Sequence, residues 1–152
     1  MRRTRSWSRE RGTQIAEMAV VLPLLVFLTL VVVEGAAFVR VHQVLNNAAR
    51  EGARLASAPE NQNQGTTTTT EITNVVRQYA FDNGAITSLN DPNLTVSINQ
   101  NRTITTGSGV NMLASRVTVT YPYQLKYLPN LPFFNVQSPI NLQGSAEFLN
   151  LY

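Results

Sequence analysis

The feature that most constrains this chain is an apolar run of sixteen residues without a charge, Met18 to Val33. Extended back past Glu17 to Ile15, the mainly apolar segment covers 15–33, which as a helix is roughly 28 Å long at ~1.5 Å rise per residue. That length is close to the ~30 Å hydrocarbon core of a bilayer. The segment is therefore predicted to be a helix that spans a membrane.

The helical pattern continues past the apolar run. Glu34 and Gly35 interrupt it, but apolar residues resume at once and recur at helical spacing on one face. This face consists of Val41, Val44, Leu45, Ala48, Gly52, Leu55 and Ala56. We predict one long helix over 13–57, transmembrane at about 15–34 and then amphipathic, with the amphipathic part packed on the chain's own domain. Glu34 is expected to mark the outer membrane surface.

The positive charge of the chain is concentrated before the apolar run. Residues 1–12 carry five arginines and one acid, a net +4, whereas the formal charge of the whole chain is +3. The basic balance therefore belongs to a leader segment, and no basic patch remains to bind nucleic acid. An excess of arginine in a short flank keeps that flank in the cytoplasm. The N-terminus is predicted to lie in the cytoplasm and everything after the apolar run outside it.

The junction between the basic leader and the apolar run resembles the processing site of type IV prepilins. Gly12 and Thr13 are followed by an acidic residue, Glu17, and then by the apolar helix. Over about the first 57 residues the chain is similar to TadE-like proteins, which are minor pilins or pseudopilins of tight-adherence (Tad) pilus systems. The residues that carry this similarity are Arg11-Gly12, Glu17, Leu22-Pro23-Leu24-Leu25, Glu34 and Asn47-Ala48-Ala49-Arg50-Glu51-Gly52-Ala53-Arg54, with a second patch at Val117-Thr118-Val119-Thr120-Tyr121-Pro122-Tyr123.

The resemblance implies that a prepilin peptidase removes the basic leader, 1–12, by cutting between Gly12 and Thr13. It also implies that Glu17 pairs with the new amine of a neighbouring subunit. The implied role is in the assembly of an adhesive Tad-type pilus, with other pilins, the assembly machinery and the lipid bilayer as partners. The implied location is the inner (cytoplasmic) membrane, with incorporation into a pilus left open. From the residues alone, Glu17 can also be an interfacial carboxylate near Arg11, and Gly12 a flexible joint.

Pro23 lies inside the predicted membrane helix. Proline removes a backbone donor and costs ~3 kcal/mol or more in the interior of a soluble helix. In a membrane helix, local adjustments satisfy the freed carbonyl, so the helix continues with a bend. A helix kink is therefore predicted at Pro23.

A polar linker is predicted at 58–70, which contains a run of five threonines, one proline, one glycine and almost no apolar side chain. A second helix should follow, because Thr68 and Glu71 have the spacing of a capping box and Asn83-Gly84 supplies a stop. Its apolar face is expected to pack against a sheet.

The last third of the chain alternates apolar and polar residues in the manner of strands. The apolar members are Leu94, Val96 and Ile98, then Val117, Val119 and Tyr121, then Ile140, Leu142, Ala146 and Phe148. A turn is predicted at 106–109 between the first two sets. The expected fold is α+β and pilin-like: a long N-terminal helix packed on a small antiparallel sheet of three strands, or four, with a second helix. The extracytoplasmic domain is predicted at 71–152.

An aromatic and proline-rich segment separates the last two predicted strands. Its aromatic residues are Tyr121, Tyr123, Tyr127, Phe133 and Phe134. Three prolines exclude a regular strand or helix there. The rings either cap a small core or form a surface for another pilus component or the membrane interface. The sequence leaves both interpretations open.

No active site, metal site or cofactor site is predicted. The chain has no cysteine and a single histidine, His42, which has no second histidine or carboxylate pair to complete a metal site. It also has no serine motif with a base and no glycine-rich phosphate loop. The protein is expected to be the substrate of a peptidase and not an enzyme.

Two other interpretations of the sequence stay open. In the first, the helix is an uncleaved single-pass anchor that holds an extracytoplasmic ligand-binding domain, with the aromatic segment as its ligand site. In the second, a conventional signal peptide is cut near Ala37 and the domain is secreted. Glu17 separates the first from the pilin interpretation, because only a pilin-like subunit should depend on that carboxylate.

Overall fold

A computed structural model describes residues 7–58, 68–105, 107, 109–126 and 139–150, with the backbone alone for 7–11 and for Asn101. In this part of the chain the elements are a long helix α1, a shorter helix α2 and three strands, β1 to β3. Their bounds are α1 Trp7–Ala56, α2 Thr69–Asp82, β1 Thr95–Thr105, β2 Asn111–Tyr123 and β3 Ile140–Leu149. The α+β prediction, with a long helix, a second helix and a small antiparallel sheet, is confirmed.

Helix α1 runs without interruption for 50 residues and includes Pro23 in its interior. It begins at Trp7, within the segment predicted as leader. One helix in the described part of the chain, Gly12–Ala56, is long and apolar enough to cross a membrane.

Helix α2 begins at Thr69, so it includes the last two residues of the segment predicted as linker, 58–70. Thr68 is its N-cap, as the capping-box spacing predicted, but the Thr68 side chain makes no capping hydrogen bond. The Thr68 carbonyl instead accepts from the Glu71 amide at 2.8 Å. At the other end Asn83 is the C-cap and Gly84 adopts a φ of +70°, a conformation that glycine enters without a Cβ penalty.

The three strands form one antiparallel sheet in the order β1-β2-β3. Val117 lies opposite Ile98 on β1 and opposite Ala146 on β3, so the predicted apolar positions share one face. A β-bulge between Asn99 and Arg102 shifts the β1 register, a feature that the alternation did not predict. Gly109, with a φ of +80°, lies in the turn between β1 and β2.

The core lies between this sheet face and the two helices. Its members include Leu45, Ala48, Ala49, Ala53, Ile72, Val76, Ala80, Leu94, Val117, Val119, Tyr123 and Leu142. The alanines of α1 let the helix backbone approach the sheet closely. A Cβ added to Gly144 on β3 would lie 2.5 Å from the Leu45 carbonyl carbon and 2.6 Å from the Asn46 amide nitrogen. Gly144 is therefore the position that sets the distance between α1 and β3.

The loop from α2 to β1 is held by one arginine. Arg77 on α2 donates to the carbonyls of Leu89, Asp91 and Leu94 at 3.1, 2.9 and 3.0 Å. Three donors of one guanidinium thus satisfy three loop carbonyls. This fixes the entry into β1 and the position of Asp91 beside β2.

Candidate functional site

Helix α1 is divided into two halves by its surroundings. From Gly12 to Val33 every residue is exposed except Phe27 and Leu30, which are half-buried. The exposed residues of this half include large aliphatics such as Val20 and Leu25, at 74 % and 57 %. An apolar surface of this extent requires a second environment, either lipid or other protein. We call residues 12–33 the exposed half of α1.

Three predicted site residues lie near the start of the exposed half. Gly12, Thr13 and Glu17 are all exposed, and a Cβ added at Gly12 would meet no atom within 4 Å. No element of the domain covers the Gly12-Thr13 bond in the described residues. The domain therefore does not block a peptidase, but the bond lies inside helix α1, which has to unwind locally before it can be cut.

Pro23 also lies in the exposed half, inside the continuous helix. Two residues later, the Leu25 carbonyl accepts a hydrogen bond from the Thr29 hydroxyl at 2.9 Å. Pro23 leaves the carbonyl of Ala19, four residues earlier, without its helical donor, so the Thr29 bond does not compensate for the proline.

The second half of α1 begins with a buried carboxylate. Glu34 is 2 % exposed and accepts from the Tyr123 hydroxyl at 2.9 Å. The Lys126 amide lies 3.1 Å from both of its carboxylate oxygens. A buried carboxylate is costly without such donors, and hydrogen bonds to a charged acceptor are stronger than neutral ones. Glu34 thereby joins the helix to the end of β2.

An aromatic contact reinforces this junction. The ring of Phe38, one turn after Glu34, meets the ring of Tyr123 edge to face, with centroids 5.7 Å apart and planes at 86°. This is a favoured geometry for aromatic pairs. We call Glu34, Phe38, Tyr123 and the Lys126 amide the helix clamp.

The predicted aromatic surface is divided by the structure. The expectation that prolines exclude a strand was wrong for its first part, because β2 includes Pro122, which pairs with β3 alone where β1 has ended. Tyr123 is 6 % exposed and belongs to the core and to the helix clamp, and Tyr121 is half-buried. Burial raises the pKa of the Tyr121 hydroxyl above its ordinary value, and the nearby Asp91 carboxylate acts in the same direction. Tyr127, Phe133 and Phe134 lie outside the described residues.

A cleft of about 620 Å³ opens beside the helix clamp. It is lined by residues of the α2–β1 loop and of the end of β2, among them Asp91, Tyr121 and Lys126. The Asp91 carboxylate accepts from the amide and from the side chain of Asn93, both at 2.9 Å, so it organises its own loop. Within the described ranges, no three histidine or acidic side chains come together in a way that could hold a metal ion.

Sequence reasoning missed the role of Glu34. It treated the residue as a marker of the membrane surface and assigned it no partner. A usable signal was present, since Glu34, Phe38, Val41 and Leu45 follow the same helical spacing as the buried stripe. A carboxylate on a buried stripe needs donors, and the aromatic hydroxyls of the late strand were the available ones.

Comparison with known proteins singles out the same helix. Residues 12–54 match the family model described as TadE-like protein. No curated protein matches the chain, and no solved structure matches it. The matched segment starts at Gly12 and contains Glu17, Pro23 and Glu34, and it stops before α2 and the sheet. Together with the long apolar helix, the match indicates membrane anchoring, and TadE-like pilus proteins are structural components and not enzymes. The match covers 43 of the 152 residues, so the chain is similar to TadE-like proteins over its N-terminal helix.

Proposed function

We propose that this protein is a minor pilin or pseudopilin that takes part in assembling a Tad-type adhesive pilus and is matured by a prepilin peptidase after Gly12. The observation that carries the proposal is the family match over 12–54, a segment whose first 22 residues are the exposed half of α1. The proposed partners are the peptidase, other pilins and pseudopilins, the assembly machinery and the lipid bilayer.

The proposed location is the cytoplasmic membrane. The five arginines of residues 1–12 keep the N-terminus in the cytoplasm, so the sheet and α2 lie on the other side. The exposed half of α1 then lies in lipid, which removes its aliphatic surface from water. Glu34 lies at the outer boundary, where the domain begins to cover the helix.

Processing at Gly12 is supported by the accessibility of that bond. The proposed cut removes the basic leader and leaves a free amine on Thr13, four residues before Glu17. The Glu17 side chain is exposed inside an apolar segment, where a charge is costly unless it has a partner. An amine on an adjacent helix supplies one, and the pair favours lateral association of processed subunits over unprocessed ones.

The first experiment determines the N-terminal sequence and the intact mass of the protein from native membranes. We expect a mature chain that starts at Thr13. A chain that starts at Met1 contradicts the maturation step and leaves an uncleaved anchor with a binding domain. A start near Ala37 would remove Glu34 and so separate the domain from its helix clamp.

A pair of glycine variants sharpens this experiment. Gly12→Leu should block processing, because the peptidase is proposed to accept glycine before the cut. A Cβ added at Gly12 meets no atom within 4 Å and the residue lies outside the core, so we expect the domain to stay folded. Gly35→Ala is the matched control, since its Cβ also meets no atom and it lies away from the cut. Normal processing of Gly12→Leu would contradict the proposed site.

The role of Glu17 is tested by pilus assembly. Glu17→Ala should abolish incorporation into pili while leaving membrane insertion and processing intact. Glu51→Ala removes a carboxylate from the same helix, where it is paired with Arg54 at the surface, and should leave assembly intact. Pili that assemble with Glu17→Ala as well as with the parent protein would contradict the proposed pairing.

A further inference from the structure

We propose that the helix clamp prevents α1 from bending at Gly35 and so fixes the angle between the exposed half of α1 and the sheet domain. The inference goes beyond the pilus role and requires only that the exposed half be inserted in a membrane. It assigns Glu34 and Tyr123 as positioning residues. The test below uses isolated subunits, so its result does not depend on the outcome for pilus assembly.

Gly35 is the weak point of the long helix. Glycine is the least favourable helix residue apart from proline, because it loses the most backbone freedom on folding. A Cβ at Gly35 would meet no atom within 4 Å, so no packing holds the helix at that residue. Ala36 and Ala37 are exposed as well. The helix therefore has a short stretch without lateral support between two supported positions.

The helix clamp supports the helix on both sides of Gly35. Glu34, on the membrane side, bonds to the Tyr123 hydroxyl and to the Lys126 amide. Phe38, on the domain side, packs against the ring of the same tyrosine. One side chain from the sheet thus touches residues that bracket the glycine. Bending at Gly35 would break either the hydrogen bonds or the ring contact.

Between the helix clamp and Leu45, helix α1 is only partly covered by the domain. The next fully buried residue is Leu45, which lies roughly 16 Å from Glu34 at ~1.5 Å per residue. Phe38, Val41 and Val44 are only half-buried in between. Without Glu34, the core would fix the helix after Phe38 but would leave the exposed half free to pivot at Gly35.

The length of the exposed half makes the angle important. Its 22 residues are roughly 33 Å long, so a bend of about 15° at Gly35 would displace Gly12 by roughly 8 Å. That displacement is close to the 8–10 Å that separates the axes of packed helices. A fixed angle therefore determines which neighbouring helix the exposed half can contact for a given placement of the domain.

The test measures the distance between a label on each side of Gly35 in full-length protein in lipid nanodiscs. The chain has no cysteine, so spin labels can be attached to two introduced ones. Leu25→Cys with Ser145→Cys reports on the angle, and Arg54→Cys with Asn141→Cys reports on the domain alone. All four positions are exposed. Pulsed electron paramagnetic resonance gives the width of each distance distribution.

We expect a narrow distribution for both label pairs in the parent protein. Glu34→Ala should broaden the distance distribution of the first label pair by roughly a factor of two, because the helix can then bend at Gly35. The distribution of the second pair should not change. Tyr123→Phe should broaden the first pair by less. Glu34→Gln should give a narrower distance distribution for the first pair than Glu34→Ala, since the glutamine amide oxygen can still accept a hydrogen bond. Tyr121→Phe, two residues away, is the matched control and should change neither pair.

The position of the hinge is tested by Gly35→Ala in the Glu34→Ala background. The alanine stiffens the helix without touching the sheet, so the first pair should become narrower again. If the double variant gives a distribution as broad as that of Glu34→Ala, the hinge does not lie at Gly35. If Glu34→Ala leaves the distribution of the first pair at the parental width, the proposal is refuted. If Glu34→Ala broadens the distributions of both pairs, the domain has unfolded, and Tyr123→Phe becomes the deciding variant. A first-pair distribution of parental width in Tyr123→Phe then refutes the proposal.

Discussion

The two halves of α1 are one continuous helix, yet they use apolar residues in opposite ways. The exposed half carries large aliphatics such as Leu25 and Val32, which touch little of the described chain. The second half, 34–56, contacts the domain mainly through Leu45 and small residues such as Ala48 and Ala53, all fully buried. The more hydrophobic half is thus the one outside the core.

This difference shows that the choice of side chain follows the environment that the helix must meet. Lipid accepts large aliphatic side chains at any rotation of the helix. A sheet packed at the distance set by Gly144 accepts only small residues at the contact, because protein interiors are close-packed. Hydropathy alone would assign the larger side chains to the core, and the structure assigns them to the surface.

The largest expected effect breaks the close contact of the second half. Gly144→Val should destabilise the domain by about 4 kcal/mol or more, because its Cβ would overlap the α1 backbone at Leu45, and backbone cannot give way cheaply. Thermal unfolding of the full chain in detergent measures the loss. Gly107→Val, where a Cβ meets no atom, is the control and should unfold near the parent temperature.

The next prediction compares the two halves with the same substitution. Leu45→Ala should cost about 3 kcal/mol of unfolding free energy, because it leaves a cavity in a fully buried site. Leu25→Ala should leave the unfolding free energy of the domain unchanged, because the Leu25 side chain lies outside the core. Chemical denaturation in detergent compares them. Equal losses would contradict the division of α1 into two environments.

A charge in the exposed half should affect insertion and not the fold. Leu25→Arg places a guanidinium near the middle of the apolar segment, which costs about 3 kcal/mol of insertion free energy. We expect a larger fraction of the protein to be extracted from membranes by alkaline carbonate. Gln43→Arg, on the exposed side of the second half, should be retained like the parent.

The smallest expected effect concerns Tyr121, at the end of β2 near the helix clamp. Its pKa is raised by burial and by the Asp91 carboxylate, so the folded state favours the neutral phenol. This contribution is complete below the unfolded pKa near 10.0 and is lost as the pH rises through the folded value. Unfolding free energy should therefore fall with alkaline pH more steeply in the parent than in Tyr121→Phe. Identical pH profiles would show that the phenol contributes nothing.

Local patterns predicted most of the elements, because each depends on near neighbours. Helical periodicity predicted α1, and the start and stop signals predicted α2 with its N-cap at Thr68. Alternation predicted the strands that became β1, β2 and β3. The missing capping bond and the bulge before Arg102 were not predicted, because both depend on how the strand or helix meets its neighbours.

The sequence by itself determined that a long helix contains an apolar length suited to a membrane, and that Gly12, Thr13 and Glu17 resemble the pattern of a prepilin. Periodicity and composition are local properties, so one chain read in order is enough to find them. Only the tertiary structure decided that Glu34 is buried and accepts a hydrogen bond from a tyrosine hydroxyl 89 residues away. The register of the sheet and the close contact at Gly144 bring that tyrosine to the helix, and neither is encoded in any short stretch of sequence.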